Sequence, residues 1–265
     1  MEVIVLPDER SVALTAADVV TRLITGRPRA VLGLATGSSV LGLYDELARR
    51  VAAGALSLRE VRAFLLDEYV GLPPGHPQSY RSVISTELLS RVDLAEHAVR
   101  GPQAERVDVT AACAEYEALI TAAGGVDLQL LGIGSDGHLA FNEPGSSLAS
   151  RTRIKTLTPR TRADNARFFD SPDEVPHHVL TQGLGTILEA RHLLLLATGE
   201  RKAEAVAAMV EGPLAARCPA SVLQTHRFAT VLLDEAAASR LELLDYYRDV
   251  AAAKPAWQGL GPPSH

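Results

Sequence analysis

The chain has 265 residues, with 26 basic and 32 acidic side chains and a formal net charge of −6 at pH 7. Apolar residues make up 47% of it, and no uninterrupted apolar run approaches the roughly 18 residues of a membrane span. This composition indicates a globular protein without a membrane span, and the acidic balance argues against general affinity for nucleic acid, which binds to basic surfaces.

Two further features bear on where the protein works. Residues 1–7 lack the basic region and the long apolar region of a secretory signal, so we expect a cytoplasmic protein. Cys113 and Cys218 are the only cysteines, and they form neither a CxxC pair nor a metal-ligand spacing. We therefore expect two buried free thiols and no disulfide framework.

Apolar runs typical of strands alternate with helical spacings along the chain. Strands are predicted at residues 3–6, 30–35, 61–66, 126–133, 191–197 and 228–233. Helices are predicted at residues 13–24, 41–51, 80–89, 110–122 and 203–210, and around residues 243–247. Such alternation predicts a single α/β domain at residues 1–253, with a mostly parallel, Rossmann-like sheet and helices on both faces. Residues 254–265, rich in Pro and Gly, are predicted to be a poorly ordered tail.

A small polar turn made of Thr36, Gly37, Ser38 and Ser39 follows the second predicted strand. Backbone N–H groups and hydroxyls at the start of a helix can surround a phosphate, and the helix dipole adds attraction. An ordinary Ser/Thr helix cap is the alternative. The turn is neither a P-loop nor GxGxxG, so a nucleotide has little support.

Two cations are candidate ligands for the same phosphate. Lys202 lies in the first turn of its predicted helix, where the helix dipole disfavours a cation unless an anion is near. Arg167 belongs to a basic cluster at residues 150–174, and its guanidinium can bind phosphate through a planar fork. For Lys202 the alternative is a solvated surface lysine.

Two acids, Asp67 and Glu68, directly follow the third predicted strand. At least one of their carboxylates should therefore project over the carboxyl edge of the sheet. A partly shielded carboxylate there can act as a general base, since loss of solvation raises its proton affinity. The alternative is a pair of acids that form a turn or cap a helix.

The fourth predicted strand ends in small residues, and His138 follows, flanked by Asp136 and Glu143. A carboxylate that accepts from one ring nitrogen fixes the tautomer and raises the basicity of the other nitrogen. A structural histidine is the alternative. No HExxH or comparable ligand spacing accompanies the histidine, so no metal is required.

Three stretches resemble the glucosamine-6-phosphate deaminase family: LDEYVGL at residues 66–72, GIGSDGHLAFNEP at residues 132–144, and SLASRTRIKTL at residues 147–157. The likeness extends over nearly the whole chain, from the turn at Thr36 to Leu233. Long matches in the same order are highly specific to one family. The resemblance implies the Rossmann-like fold and a small-molecule sugar phosphate as substrate.

The resemblance also implies a reaction, the conversion of D-glucosamine 6-phosphate to D-fructose 6-phosphate and ammonium, without a metal or an organic cofactor. By the same resemblance, His138 assists opening of the sugar ring, while Asp136 and Glu143 hold and charge it. Asp67 then takes the proton from C2 and returns it at C1. The substrate phosphate is expected on Thr36, Gly37, Ser38, Ser39, Arg167 and Lys202. Val40 departs from the pattern, because many family members have Pro there.

Some members of the family are hexamers activated by N-acetylglucosamine 6-phosphate at a subunit boundary. The residues used there match Ser146, Arg153 and Lys155, so a second phosphate site is a hypothesis for this chain. Tyr246 is a weaker candidate for the same pocket, because the alignment is loose near the C-terminus. A homo-oligomer, with a hexamer favoured by the resemblance, is expected. Residues 144–176 are expected to form a mobile lid, because cations cluster there over the anion site.

Two other functions remain as alternatives. A 6-phosphogluconolactonase-like hydrolase has a similar fold and a similar Gly-x-Asp-Gly-His turn, but it would not need Asp67 as a base for a C–H bond. A noncatalytic sugar-phosphate sensor would bind the ligand without turnover. The presence of Asp67, His138 and Glu143 together argues against the sensor.

Overall fold

The computed structural model describes residues 1–255 and 258–262, and its elements alternate as the apolar pattern predicts. The strands are β1 (Glu2–Leu6), β2 (Val31–Leu34), β3 (Arg62–Leu65), β4 (Asp67–Tyr69), β5 (Val99–Arg100), β6 (Leu128–Leu131), β7 (Arg153–Thr156), β8 (His178–Thr181), β9 (Leu193–Ala197) and β10 (Ala229–Asp234). The helices are α1 (Glu9–Gly26), α2 (Ser38–Ala52), α3 (Tyr80–Glu87), α4 (Val109–Ala122), α5 (Pro159–Asn165), α6 (Leu184–Leu188), α7 (Ala203–Val210) and α8 (Leu244–Ala252).

Seven strands form one sheet in the order β1-β10-β9-β6-β2-β3-β5, and every pair in it is parallel. The strands at its centre are buried along their whole length, as expected when helices flank the sheet. The predicted fold class, an α/β fold with a mostly parallel sheet, is confirmed. The chain order reverses direction between β2 and β6. In doubly wound sheets a ligand crevice forms at such a point, outside the carboxyl ends of the strands.

A second, antiparallel sheet of three strands has the order β4-β8-β7. It was not predicted, because its strands are only three or four residues long and come from distant parts of the chain. Residue Asp67 pairs with Thr181, and Thr181 also pairs with Arg153. This sheet therefore links the acid after β3 to the segment that carries the basic cluster.

The main hydrophobic cluster joins the parallel sheet to its helices and runs from Val3 to Leu241. Helix α1 begins four residues before the predicted start, because the Asp8 side chain accepts a hydrogen bond from Ser11 N at 2.7 Å and caps the helix. Cys113 and Cys218 are buried free thiols, as predicted.

None of the helices within the described ranges is long and apolar enough to cross a membrane. The predicted tail at residues 254–265 lies partly outside the described residues, which omit 256, 257 and 263–265. In its described part, Lys254 forms an ion pair with Glu2 and Leu260 packs against the main cluster.

Candidate active site

The candidate segments follow β2, β3, β6 and β9, and parallel strands end at the same edge of a sheet. One contact fixes two of the segments together. Lys202, beyond β9, donates from Nζ to the carbonyl oxygen of Ile133, beyond β6, at 2.7 Å. The segments that carry the predicted residues therefore all begin at one edge of the sheet, near the point where the strand order reverses.

The two acids after β3 have different roles. The Glu68 carboxylate accepts hydrogen bonds from the backbone N–H groups of Tyr69, Tyr80 and Arg81, each at 2.9 Å, and so caps the start of α3. Asp67 is 6% exposed, and no described group donates a hydrogen bond to its carboxylate. Burial, and secondarily the charge of Glu68, raises the pKa of Asp67 well above its ordinary value. A carboxylate in this setting has the proton affinity of a general base.

Aromatic rings form a wall beside Asp67. The ring centroid of Tyr69 lies 5.0 Å from that of Tyr80, and 5.8 Å from those of Phe141 and Phe169. Burial raises the pKa of Tyr69 to about 12, and the nearby charge of Asp67 is a further cause. Burial in this wall keeps the phenols of Tyr69 and Tyr80 neutral, and the rings limit solvation of the Asp67 carboxylate.

His138 is held by one carboxylate, that of Asp136. Nδ1 of His138 lies 2.6 Å from Oδ1 of Asp136, which also accepts the backbone N–H of His138 at 3.2 Å. The side-chain hydrogen bond from His138 is the main reason that the pKa of Asp136 falls to about 2. An ionised Asp136 fixes the tautomer with hydrogen on Nδ1, which leaves Nε2 for proton transfer.

The turn that carries His138 is shaped by its small residues. A Cβ on Gly134 would lie 2.1 Å from Cε1 of His138, so the ring rests directly on this glycine. Gly137 has φ +82°, and a Cβ there would lie 2.6 Å from Sγ of Cys218. Ala140 has φ +50°, a left-handed conformation that costs a non-glycine residue about 1–3 kcal/mol. The geometry of the loop therefore depends on residues that carry no chemistry.

Glu143, the other acid predicted beside His138, makes its hydrogen bonds elsewhere. It is 6% exposed, and its Oε1 accepts the hydroxyl of Thr158 at 3.0 Å and the hydroxyl of Thr161. No hydrogen bond joins it to His138 within the described chain. Of the two acids predicted to hold the histidine, Asp136 contacts the imidazole ring. Glu143 instead binds the threonines at the start of α5.

The predicted phosphate residues lie at two helix starts and in the basic segment. The turn Thr36 to Ser39 precedes and begins α2, with Gly37 at φ +110°. Lys202 immediately precedes α7. Burial, and then the charges of Arg201 and Arg167, lowers the pKa of Lys202. Arg167 is exposed but close enough to Lys202 for its charge to act there, so an anion between them would relieve their repulsion.

The residues predicted for a second phosphate site divide into two groups. Ser146 and Arg153 flank the loop after β6: Ser146 N donates to Glu143 O at 3.0 Å, and Arg153 Nη1 donates to Asn142 Oδ1 at 2.9 Å. Lys155 lies on the same strand as Arg153. Tyr246 is 60% exposed on α8, a helix that contacts β1 at one edge of the large sheet, whereas β7 belongs to the small sheet.

Sequence reasoning missed several polar residues that hold the site. Thr158 and Thr161 bind Glu143, and the Thr158-Pro159 pair, an N-cap followed by Pro at the first helical position, was the available signal. Asp234, at the end of β10, accepts the N–H of Gly199 at 2.9 and 3.1 Å and so fixes the turn before Lys202. No local pattern distinguished Asp234 from other strand-end acids.

No group of three or more His, Cys, Asp or Glu side chains within residues 1–255 and 258–262 is arranged to hold a metal ion.

The chain matches the model of a known protein family and is similar to named enzymes and solved structures. The model of the family described as glucosamine-6-phosphate isomerases/6-phosphogluconolactonase matches residues 8–232. The glucosamine-6-phosphate deaminase of Mycolicibacterium smegmatis is 64% identical over 261 residues, which is 98% of this chain and all of the relative. The enzyme of the same name from Arthrobacter sp. is 62% identical over 260 residues, again 98% of this chain and all of the relative.

A solved structure described as a monomeric glucosamine-6-phosphate deaminase is similar with a TM-score of 0.88 and 40% identity, over 91% of this chain and all of the other. A 6-phosphogluconolactonase from Trypanosoma cruzi has a TM-score of 0.74 and 21% identity, over 91% of this chain and 97% of the other. At that identity the second similarity shows the fold alone.

Proposed function

The chain belongs to the glucosamine-6-phosphate isomerase/6-phosphogluconolactonase family, and we propose that it is a glucosamine-6-phosphate deaminase. The observation that carries this proposal is that the buried carboxylate of Asp67 accepts no hydrogen bond from the described residues. It lies at the same sheet edge as the Asp136–His138 pair. Deamination with isomerisation needs a base for a carbon-bound proton and a separate group for proton transfer at oxygen. The overall reaction is D-glucosamine 6-phosphate plus water to D-fructose 6-phosphate plus ammonia, released as ammonium.

Ring opening is the first step. His138, with hydrogen fixed on Nδ1 by Asp136, accepts the proton of the C1 hydroxyl at Nε2 and delivers it to the ring oxygen as the bond between C1 and that oxygen breaks. The C1 hydroxyl loses its proton, so the product is an open-chain amino aldehyde. Glu143 supplies negative charge near the histidine, and its second carboxylate oxygen is the one free for this role.

Asp67 carries out the isomerisation. The aldehyde at C1 acidifies the C2–H bond, and Asp67 removes that proton while the C1 oxygen takes up a proton from solvent, which gives an enolamine. Returning the proton at C1 leaves an iminium at C2, which water attacks, and ammonia leaves as the C2 carbonyl of fructose 6-phosphate forms. The raised pKa of Asp67 makes its carboxylate a stronger base than an exposed aspartate.

The substrate phosphate binds between the start of α2 and Lys202. The turn at residues 36–39 offers backbone N–H groups and hydroxyls, and Lys202 and Arg167 supply positive charge. Binding energy from this remote group aligns C2 with Asp67. Lys202 also donates to Ile133, so the phosphate site is tied to the loop that bears His138.

An allosteric site, expected from the resemblance, is part of this proposal. Ser146 supports an allosteric site for N-acetylglucosamine 6-phosphate, because its Oγ is buried without a partner, and Arg153 is a nearby cation. An anion on Arg153 would act on Asn142 and hence on the neighbouring Glu143. Activation curves for the wild type and Lys155→Ala test this, and no response of the wild type to the activator would refute it.

Oligomeric state and location belong to the proposal in the same way. A hexamer is expected from the resemblance, whereas the similar solved structure is described as monomeric. Sedimentation of the purified protein decides between the two. The cytoplasmic location is likewise a prediction from the sequence.

A mobile lid at residues 144–176 is supported by the aromatic contacts of Phe169. Its ring lies 5.8 Å from that of Tyr69 and stacks on the ring of His76 at 5.9 Å. A substrate analogue is expected to slow hydrogen exchange and proteolysis in this segment. Equal rates with and without the analogue would count against a lid.

Incubation of the purified protein with glucosamine 6-phosphate, with assays for both ammonium and fructose 6-phosphate, tests the function. A sensor would bind the substrate without forming either product, and a lactonase would instead hydrolyse 6-phosphogluconolactone. The relatives at about 60% identity are deaminases, and the lactonase similarity extends to the fold alone, so the deaminase is favoured.

A further inference from the structure

Two threonine hydroxyls, one at the N-cap and one in the first turn of α5, hold the carboxylate of Glu143. Oε1 of Glu143 accepts from Oγ1 of Thr158 at 3.0 Å and from Oγ1 of Thr161. The two threonines are also joined, since Thr161 N donates to Thr158 Oγ1 at 3.2 Å and the two hydroxyl oxygens lie 3.0 Å apart. Thr161 is 6% exposed, as is Glu143, so this small network is largely shielded from water.

The network binds one oxygen of the carboxylate and leaves the other available. The buried side-chain polar atoms without a partner in the described chain are Gln129 Oε1 and Ser146 Oγ. Oε2 of Glu143 accepts no hydrogen bond from the described residues and is not among those atoms, so it retains contact with solvent. Glu143 is thus fixed at Oε1 with Oε2 free to meet a substrate or the histidine.

The backbone and the carboxylate of Glu143 are anchored to different parts of the molecule. Asn142 is fully buried and donates from Nδ2 to Leu139 O at 3.0 Å and to Gln182 O at 2.8 Å, which fixes the backbone just before Glu143. The orientation of the carboxylate is set by α5 instead. Helix α5 is followed directly by the turn that carries Arg167.

We propose that Thr161, assisted by Thr158, is a positioning residue that orients Glu143 for ring opening. Hydroxyl donors bind an ionised carboxylate more strongly than a neutral acceptor, so they hold Oε1 and aim Oε2. Thr158, Thr161 and Arg167 belong to one segment. When that segment packs over the site, it places Arg167 at the substrate phosphate and orients Glu143 at the same time. This inference rests on the proposed deaminase function.

The matched variants are Thr161→Val, which keeps the shape and removes the hydroxyl, and Thr161→Ser, which keeps the hydroxyl. With glucosamine 6-phosphate, Thr161→Val should lower kcat about 10-fold while KM changes by less than about twofold, because the contact acts in the chemical step. Thr161→Ser should restore kcat to near the wild-type value. An unchanged kcat in Thr161→Val, or a loss that serine does not restore, overturns the proposal.

A purely structural role for Thr161 would show a different pattern. Loss of lid structure would displace Arg167 and raise KM, whereas loss of orientation acts through Glu143 alone. In a Glu143→Gln background, Thr161→Val should therefore cause no further loss of kcat, and an additive loss overturns the proposal. Thermal unfolding checks that each variant is folded, and Thr161→Ala replaces Thr161→Val if the valine variant does not fold.

Absence of turnover in the wild type would refute the proposed function and would leave the contact testable. The 13C signal of the Glu143 carboxylate, assigned with Glu143→Gln, reports the contact without substrate. Thr161→Val should shift this signal and Thr161→Ser should not. A signal identical in wild type and Thr161→Val overturns the inference whether or not the protein is a deaminase.

Discussion

Asp67 and Glu68 are consecutive in the chain, yet only one carboxylate is satisfied. Glu68 accepts three backbone N–H groups, including those of Tyr80 and Arg81 at the start of α3. Asp67 is buried and receives no hydrogen bond from the described residues. The sequence offered both as candidate bases, and this difference selects Asp67. It also provides a matched pair of acids for mutagenesis.

Replacement of Asp67 by Asn should abolish most of the activity. Loss of a general base lowers kcat by about 10²–10⁴-fold, while the phosphate site is left intact. Proton exchange at C2 of the substrate, followed in deuterium oxide, measures the step directly. Glu68→Gln is the control, since Glu68 caps a helix and should leave C2 exchange measurable. Exchange by Asp67→Asn at the wild-type rate would exclude Asp67 as the base.

The same Asp67→Asn variant should be more stable than the wild type near neutral pH, by about 1–3 kcal/mol. The pKa of Asp67 is raised in the folded protein, so folding favours the neutral acid. The contribution of the neutral Asp67 carboxyl to the free energy of unfolding is complete below about pH 3.9, the ordinary pKa of an aspartate in the unfolded chain. This contribution is lost as the pH rises through the raised pKa of Asp67 in the folded protein. Urea unfolding at neutral and at acid pH measures this, and the advantage of the variant should shrink at acid pH. Asp249→Asn, at an exposed acid on α8, should show no such change.

As the pH is lowered, the activity should begin to fall at a higher pH than it would if the general base were an exposed aspartate. Asp67 must be ionised to accept a proton, and burial, followed by the charge of Glu68, raises its pKa. Removal of that neighbouring charge in Glu68→Gln should therefore move the acid limb of the kcat/KM profile to lower pH. A limb that stays in place or moves to higher pH in this variant would contradict the assignment of the limb to Asp67.

The ring of His138 should not tolerate a side chain beneath it. A Cβ on Gly134 would lie 2.1 Å from the imidazole, so Gly134→Ala must displace the ring and should lower kcat about 10²-fold. Gly132→Ala is the matched control, since a Cβ on Gly132 has no neighbour within 4 Å. Steady-state kinetics of the two variants check the prediction. Equal activities would show that the ring position does not matter.

Much of the fold was predictable from local pattern. Near-continuous apolar runs such as those of β9 and β10 are typical of strands buried on both faces, and helical spacing between them requires parallel crossovers. That order places the segments after β2, β3, β6 and β9 at one edge of a sheet. The candidate residues could therefore be grouped before any contact was known, although each was ambiguous alone.

The three-stranded sheet was not predictable in this way. Strand β4 pairs with β8, more than a hundred residues later, and β7 is an exposed strand of four residues. Short strands of this kind have weak local preference, and their pairing is decided by long-range contacts. The segment predicted as a lid pairs at β7 with β8, and β8 in turn pairs with β4, the strand that begins with Asp67.

By itself the sequence determined the order of strands and helices, the strand-end position of each polar motif and the resemblance to a family, because these depend on residues close together in the chain. The tertiary structure decided the partners. It left the Asp67 carboxylate without a hydrogen-bond donor among the residues that the structure describes, put Asp136 on His138 and bound Glu143 to Thr161. Burial and hydrogen bonding by distant segments set the charge and orientation of such groups, and neither is written in local sequence.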